Sequence, residues 1–428
     1  MSRRHAWLHE ELGHWVAEGL LTSAQGERLR ARYPLESSGW GRLALTGFGA
    51  VLIGLGVVLL FAYNWAEMSK FAKLGVIFGA LLLVHGSGMW LRRTPDGWLA
   101  GEGMQALGTM LFGAGIWLVA QVYHIDEHYP NAFLIWGLGA LALAWALPSL
   151  TQALLAVALV VVWQLCETLD FQNPLHSAPW LLLLGVFPLI WRLRSPVLAG
   201  FAVIALLLSV ALSTLVEDLD VALPVLLLLG SAAVAFGQVV AGDSPLRLEQ
   251  VSRGFAGPGM ITYLAVLYLL TFPELVRDLL RHPPEGTLAW AYLFGTGLAA
   301  ALAWGLALWG HRRGDWLERL PGLLVVAGSA LVLLVSLGGV GHDGWLAAVP
   351  FNLLFLAHAL WLLLAGERHL LARQVAAGGL LLILLAGARY LDLFDSLLSR
   401  SLVFFLVGGA LFVAGNLYSR RLAARGAV

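Results

Sequence analysis

Residues Glu102–Ser149 read EGMQALGTMLFGAGIWLVAQVYHIDEHYPNAFLIWGLGALALAWALPS, and this stretch decides the fold class. Two apolar runs, each long enough to cross a bilayer, flank the polar turn His124–Asn131 (HIDEHYPN). A span needs about 20 mostly apolar residues. Gln105 and Gln121 sit near the two ends of the first run, 16 residues apart. At 1.5 Å per residue that separation is about 24 Å along a helix, and about 160° around it. The two glutamines therefore lie near opposite membrane faces and on different sides of the helix. Gly101, Gly103, Gly108, Gly113 and Gly115 supply small contacts around much of its circumference. The expectation is a mostly enclosed helix at the centre of a bundle.

The rest of the chain repeats this pattern. Of 428 residues, 59% are hydrophobic and 12% charged. A soluble chain carries about 25% charged residues. Fourteen apolar runs of 15 to 22 residues follow one another from 43–63 to 401–418. The run 178–192 is the weakest, being short and holding Pro188, and 132–147 is parted from 150–166 only by Pro148 and Ser149. The expected fold is all-α: a polytopic transmembrane helix bundle of about 14 spans over 40–428, with a short cytosolic helical hairpin at 1–39.

In that hairpin, Leu8, Leu12, Trp15 and Val16 form an apolar helical face, Gly19 can stop the helix, and Thr22–Gln25 matches a capping box before Pro34. No apolar core of the secretory type occurs in 1–39. With the N-terminus inside, 20 of the 26 basic residues fall on the inner side. Lys70, Lys73, Arg277, Arg281, Arg389 and Arg400 fall outside. This asymmetry is what the positive-inside rule demands of an even number of spans, with both termini cytosolic in a bacterial inner membrane.

Several stretches resemble one family: Val16–Gln25 (VAEGLLTSAQ), Ala62–Trp65 (AYNW), Ala120–His124 (AQVYH), and Trp136 with Leu141–Trp145 (LALAW). Together they are similar to the bacterial predicted membrane proteins known as domain of unknown function 2157. Tyr390–Phe394 and Arg400–Phe405 extend the resemblance more weakly. It marks Asn64, Trp65, Tyr123 and Trp136 as motif positions, implies a multi-pass membrane protein, and supplies no catalytic residue.

Polar side chains inside lipid must find partners, so those in the spans face the bundle interior. His85, Gln105, Gln121, His124, Asn352 and His358 are the candidates for a polar pathway, beside Gln152, Gln164, Gln238 and Asn416. Each alone reads as interhelical glue, worth roughly 0.6–2 kcal/mol. His85 and His358 stand out because both fall well inside their runs and carry a titratable ring. His124 and His128 have metal-ligand spacing if helical, but no cysteine or third histidine is near in sequence. No Asp, Glu, Lys or Arg falls at the middle of a run, which argues against an ion-driven carrier. One cysteine, Cys166, excludes a disulfide framework, and no nucleotide loop, zinc-protease helix or serine elbow occurs.

Two function classes follow. The first is a transporter-like or solute-binding protein with a polar pathway lined from spans two, three and twelve. The second is a non-catalytic scaffold or sensor presenting its N-terminal hairpin to a cytosolic protein. An enzyme ranks third for want of a constellation, and no metal or cofactor is expected. The expected partners are the lipid bilayer with a small solute or a cytosolic protein, and a net charge of zero speaks against nucleic acid. Reporter fusions at Gly39 and Val428 should both report the cytosolic side. Activity on the far side of the membrane at either position would rule out the fourteen-span topology.

Overall fold

The computed structural model describes residues 11–32, 68–94, 96–125, 128–217, 220–241, 249–310, 316–338, 343–392 and scattered positions between 405 and 420. Every element among them is helical. The chain forms two compact units, 1–78 and 79–428. In the first, residues 11–17 are helical, and Gly19 takes φ +75°, a left-handed turn that stops the helix. α1 (Ser23–Arg32) follows. Its N-terminus is closed reciprocally: Gln25 N donates to Thr22 Oγ1 at 3.3 Å, and Thr22 N donates to Gln25 Oε1 at 3.0 Å. Leu12 is fully buried and Gly26 packs on Val16.

α2 (Lys70–Leu91) leads from the first unit into the second. There follow α3 (Trp98–Tyr123), α4 (Pro130–Ala146) and α5 (Leu150–Phe171). Next come α6 (Ser177–Leu181), a π turn (Leu182–Val186) and α7 (Phe187–Leu193). α8 (Pro196–Val216), α9 (Ala222–Ala241), α10 (Glu249–Leu269) and α11 (Pro273–Arg281) lead to α12 (Gly286–Gly310), α13 (Trp316–Ser336), α14 (Gly344–His369) and α15 (Ala372–Asp392). Helices thus occupy every expected run from 71–91 to 369–388. The run 43–63 and most of 401–418 lie outside the described residues, as do Asn64 and Trp65. Nine described helices are long and apolar enough to span a membrane, or ten if α10 and α11 form one bent span.

The weak run 178–192 is helical but irregular. Pro188 lacks an N–H, so the turn before it widens into the π turn at Leu182–Val186. Leu182, Val186, Leu189 and Ile190 are nonetheless fully buried. Tertiary packing offsets the lost backbone bond.

Two apolar cores fill the second unit. One is built mainly from α5 to α8 around Trp163, Leu182, Leu198 and Phe255; the other gathers α9, α10 and α12 to α14 around Tyr263, Trp304, Phe351 and Phe355. α9 and α10 cross at glycine. A Cβ on Gly259 would meet the carbonyl oxygen of Gly230 at 2.7 Å, and one on Gly230 would meet that of Gly259 at 2.9 Å. About two turns further along, Gly237 abuts the carbonyl of Ser252. Close backbone approach replaces the hydrophobic drive that lipid does not provide.

The expectation that the Gln105 helix is central is corrected. In α3 the buried residues are Gly101, Glu102, Gln105, Gly108, Thr109, Gly113, Gly115 and Val122, all toward one side. Gly103, Leu107, Met110, Ala114, Trp117 and Gln121 make an exposed stripe. In its apolar window 28% of the residues are buried, against 61% for α8 and 56% for α9. The glycines of α3 therefore serve particular side chains on one face rather than enclosure on all sides.

α11 turns 88° from α10. A helix that stops inside an apolar environment leaves carbonyls without partners. Here the Thr271 carbonyl accepts from Asn352 Nδ2 at 3.0 Å and from Arg389 at 2.8 Å. Sequence distance hid this use of Asn352 and Arg389.

The glycine crossing gives a direct test. Gly259→Leu must push two backbones apart and should cost about 1–3 kcal/mol. Gly257→Leu, two residues away, meets nothing within 4 Å and should leave stability unchanged. Thermal unfolding of the two variants in the same detergent measures the difference.

Candidate polar site in the first helices

The buried face of α3 carries a line of polar groups with helix-appropriate spacing: Glu102, Gln105 and Thr109. His85 on α2 meets Gln105 twice. Its Nδ1 lies 2.6 Å from Gln105 Oε1, and Gln105 Nε2 donates back to the His85 carbonyl at 3.0 Å. With that amide orientation, the imidazole proton sits on Nδ1. Glycines make the room: a Cβ on Gly108 would strike the His85 ring at 2.5 Å, and one on Gly88 the Gln105 amide at 2.8 Å.

One turn on, Thr109 Oγ1 lies 2.7 Å from Gln152 Oε1 on α5 and 3.1 Å from the Gln105 carbonyl. A hydroxyl has one proton, so it donates to only one of these oxygens at a time. The Thr109 carbonyl accepts from Trp136 Nε1 on α4 at 2.7 Å, and the Trp136 ring packs on Gly113. Gln152 is fully buried, and its Nε2 has no hydrogen-bond partner. Exchanging the two ends of the amide moves the unpaired atom to oxygen without removing it.

Toward the end of the bundle where α2 stops, Arg92 pairs with Glu102 and donates to the Leu147 carbonyl at 2.6 Å. Ser149 Oγ donates to Glu102 Oε2 at 2.7 Å while capping α5 by accepting from Gln152 N. Glu102 is 5% exposed. A buried carboxylate at this depth is stable only because a guanidinium and a hydroxyl fill its lone pairs. The line from Arg92 to His85 thus ties α2, α3 and α5 and the α4–α5 turn into one hydrogen-bonded unit.

The other sequence candidates lie elsewhere. Gln121 is exposed at the far end of α3. His124 is exposed, with φ +57°, and its position ends the helix. The helical i,i+4 geometry required of a metal pair with His128 is therefore absent. His128 instead meets Glu167 at 2.8 Å, and Asn173 donates to the other Glu167 oxygen at 3.0 Å. Beside it Tyr129 donates to Asp170, a hydrogen bond that holds its phenol proton well above the ordinary tyrosine range. Tyr123 is exposed. His358 and Asn352 are both on α14. His358 is buried against Tyr263, with Nδ1 2.8 Å from the Leu354 carbonyl, and Asn352 holds Thr271. Neither joins the His85–Gln105 group, so span twelve does not extend this line.

Residues 13–153 match the model of a family described as a predicted membrane protein, DUF2157. The family resemblance read from the sequence is supported over that segment. No curated protein and no solved structure matches the chain. The match encloses the whole polar line, from His85 through Arg92, Glu102, Gln105, Thr109 and Trp136 to Ser149 and Gln152. Composition pointed to His85 and Gln105. It missed Thr109 and the Arg92–Glu102–Ser149 clamp, whose only sequence signal is a carboxylate, an amide and a hydroxyl at positions 102, 105 and 109 of an apolar run.

Removing one partner of a buried pair leaves the other unsatisfied, at about 1–3 kcal/mol. Gln105→Leu and His85→Phe should each destabilise by about that amount. Their double mutant should cost clearly less than the sum, because neither orphan remains. Additive losses in thermal or denaturant unfolding would show that the two side chains act independently.

Proposed function

We propose that this chain is a solute-binding or transporter-like protein of the cytoplasmic membrane, with its polar pathway in the DUF2157 segment between α2, α3 and α5. The supporting observation is the buried line from Arg92 to His85, which ends on an unpaired atom of the Gln152 amide. A buried polar atom without a partner costs free energy that a bound polar molecule can recover. The charges on the line, Arg92 and Glu102, neutralise each other, and its other side chains are amide, hydroxyl, imidazole and indole. That donor set suits an uncharged, hydrogen-bonding solute. On this reading the arginine-bearing end at Arg92 and Arg192 faces the cytosol, and both termini lie on that side.

A second reading rests on residues 11–32, where the reciprocal Thr22–Gln25 cap closes a helix with its own residues. There the chain is a scaffold or sensor that offers this segment to a cytosolic protein.

The solute reading is tested with purified protein in nanodiscs, screened by thermal unfolding against small neutral polar solutes. A ligand at 100 times its Kd stabilises by about 2.7 kcal/mol. At least one class should stabilise the wild type, and Gln152→Leu should abolish the effect. If no solute stabilises the wild type, or if Gln152→Leu responds unchanged, the polar line is structural only. A loss of partner capture on deleting 1–39, with the solute response absent throughout, would favour the second reading.

A further inference from the structure

α8 carries Ser209 and Ser213 at i and i+4, and Glu217, four residues beyond Ser213, caps the end of the helix. These residues meet three other elements. Gln164 on α5 donates to the Ser209 carbonyl at 2.8 Å and to Ser213 Oγ at 3.0 Å. Ser213 Oγ lies 3.1 Å from the Leu175 carbonyl, just before α6. Next to it His176 Nδ1 is 2.8 Å from the Tyr292 hydroxyl on α12, and His176 Nε2 is 3.5 Å from Glu217. Carboxylate, imidazole and phenol therefore follow one another inward from the surface, beside the fully buried Ser213.

The two ring contacts are unequal. Nδ1 is well bonded, whereas Nε2 is buried, without a hydrogen bond, and 3.5 Å from a carboxylate. A neutral imidazole has one N–H and one bare nitrogen. It satisfies this site by accepting from the Tyr292 hydroxyl at Nδ1 and pointing N–H at Glu217 across a long gap. The imidazolium has two N–H groups. It must donate at Nδ1 as well, which turns the Tyr292 proton away from the ring, and it draws Glu217 in by charge.

We propose that His176 is a proton-binding switch at this end of the bundle, coupling the segment before α6 to the ends of α8 and α12. Among the described residues, the titratable groups touching the ring are Glu217, which caps α8, and Tyr292 on α12. The ligand is a proton from the solvent, taken up at Nδ1. An O–H bond of hydronium breaks, an N–H bond forms at Nδ1, and the hydrogen bond between His176 and Tyr292 reverses direction. The charged ring donates at both nitrogens, so the link is tight at low pH and loosens as the ring loses its proton. This site lies apart from the His85–Gln152 line and does not depend on its function.

The test is hydrogen exchange by mass spectrometry on the full chain in nanodiscs from pH 5.5 to 8, corrected for the intrinsic rate. Protection at 172–178 should rise about tenfold toward low pH, the margin of a charge-assisted over a neutral hydrogen bond. His176→Gln should give a flat profile. Glu217→Gln removes the charged acceptor facing Nε2 and should reduce the low-pH gain severalfold, and it decides the matter if the first variant fails to fold. A flat wild-type profile, a response that survives His176→Gln, or a low-pH gain undiminished by Glu217→Gln overturns the assignment.

Discussion

Hydrocarbon offers no hydrogen bonds, so each polar group placed within it must be answered by another part of the chain. That constraint accounts for much of what is specific here. Glu102 is buried because Arg92 and Ser149 fill its lone pairs. α10 can stop and α11 turn away by 88° because Asn352 and Arg389 take up the Thr271 carbonyl. The π turn before Pro188 survives because Leu182 and Val186 at its two ends are fully buried. The Trp304 indole donates to Ser231 at 2.8 Å, which is in turn bonded to Ser329 in the second core.

Backbone proximity is the complementary device. Where α9 and α10 cross, Gly230 and Gly259 bring main chains into contact, and dispersion forces act over the whole crossing. In the DUF2157 segment glycine does something different. Gly88 and Gly108 leave sockets for the Gln105 amide and the His85 ring, and Gly113 takes the Trp136 ring. The same residue type thus sets helix spacing in one half of the membrane unit and seats polar and aromatic side chains in the other.

The polar groups sort by depth and by end. The Arg92–Glu102–Ser149 clamp and the Arg192 bond to the Trp145 carbonyl belong to the end where α2 and α4 stop. The His128–Glu167, Tyr129–Asp170 and His176–Glu217 contacts belong to the end where α3, α5 and α8 stop. The alternation of helices brings each set together, so distant loops become neighbours at one membrane face.

Composition and run length alone determined the all-helical membrane class, because 20-residue apolar runs have no other stable solution in lipid. Local chemistry in the sequence also located the Thr22–Gln25 cap, which needs only three residues of chain to close. Gln105 was legible as a buried polar residue, since an amide in an apolar run must seek the interior. The rest required the fold. Periodicity does not say which neighbour covers a helix, so α3 reads as central although α8 and α9 are the most enclosed. His176 and Tyr292 are separated by 116 residues, and Asn352 and Thr271 by 81, and nothing local links either pair. Partners that distant are set by helix order and crossing, because a hydrogen bond depends on position to within a few tenths of an ångström and the sequence pattern specifies only which face turns inward.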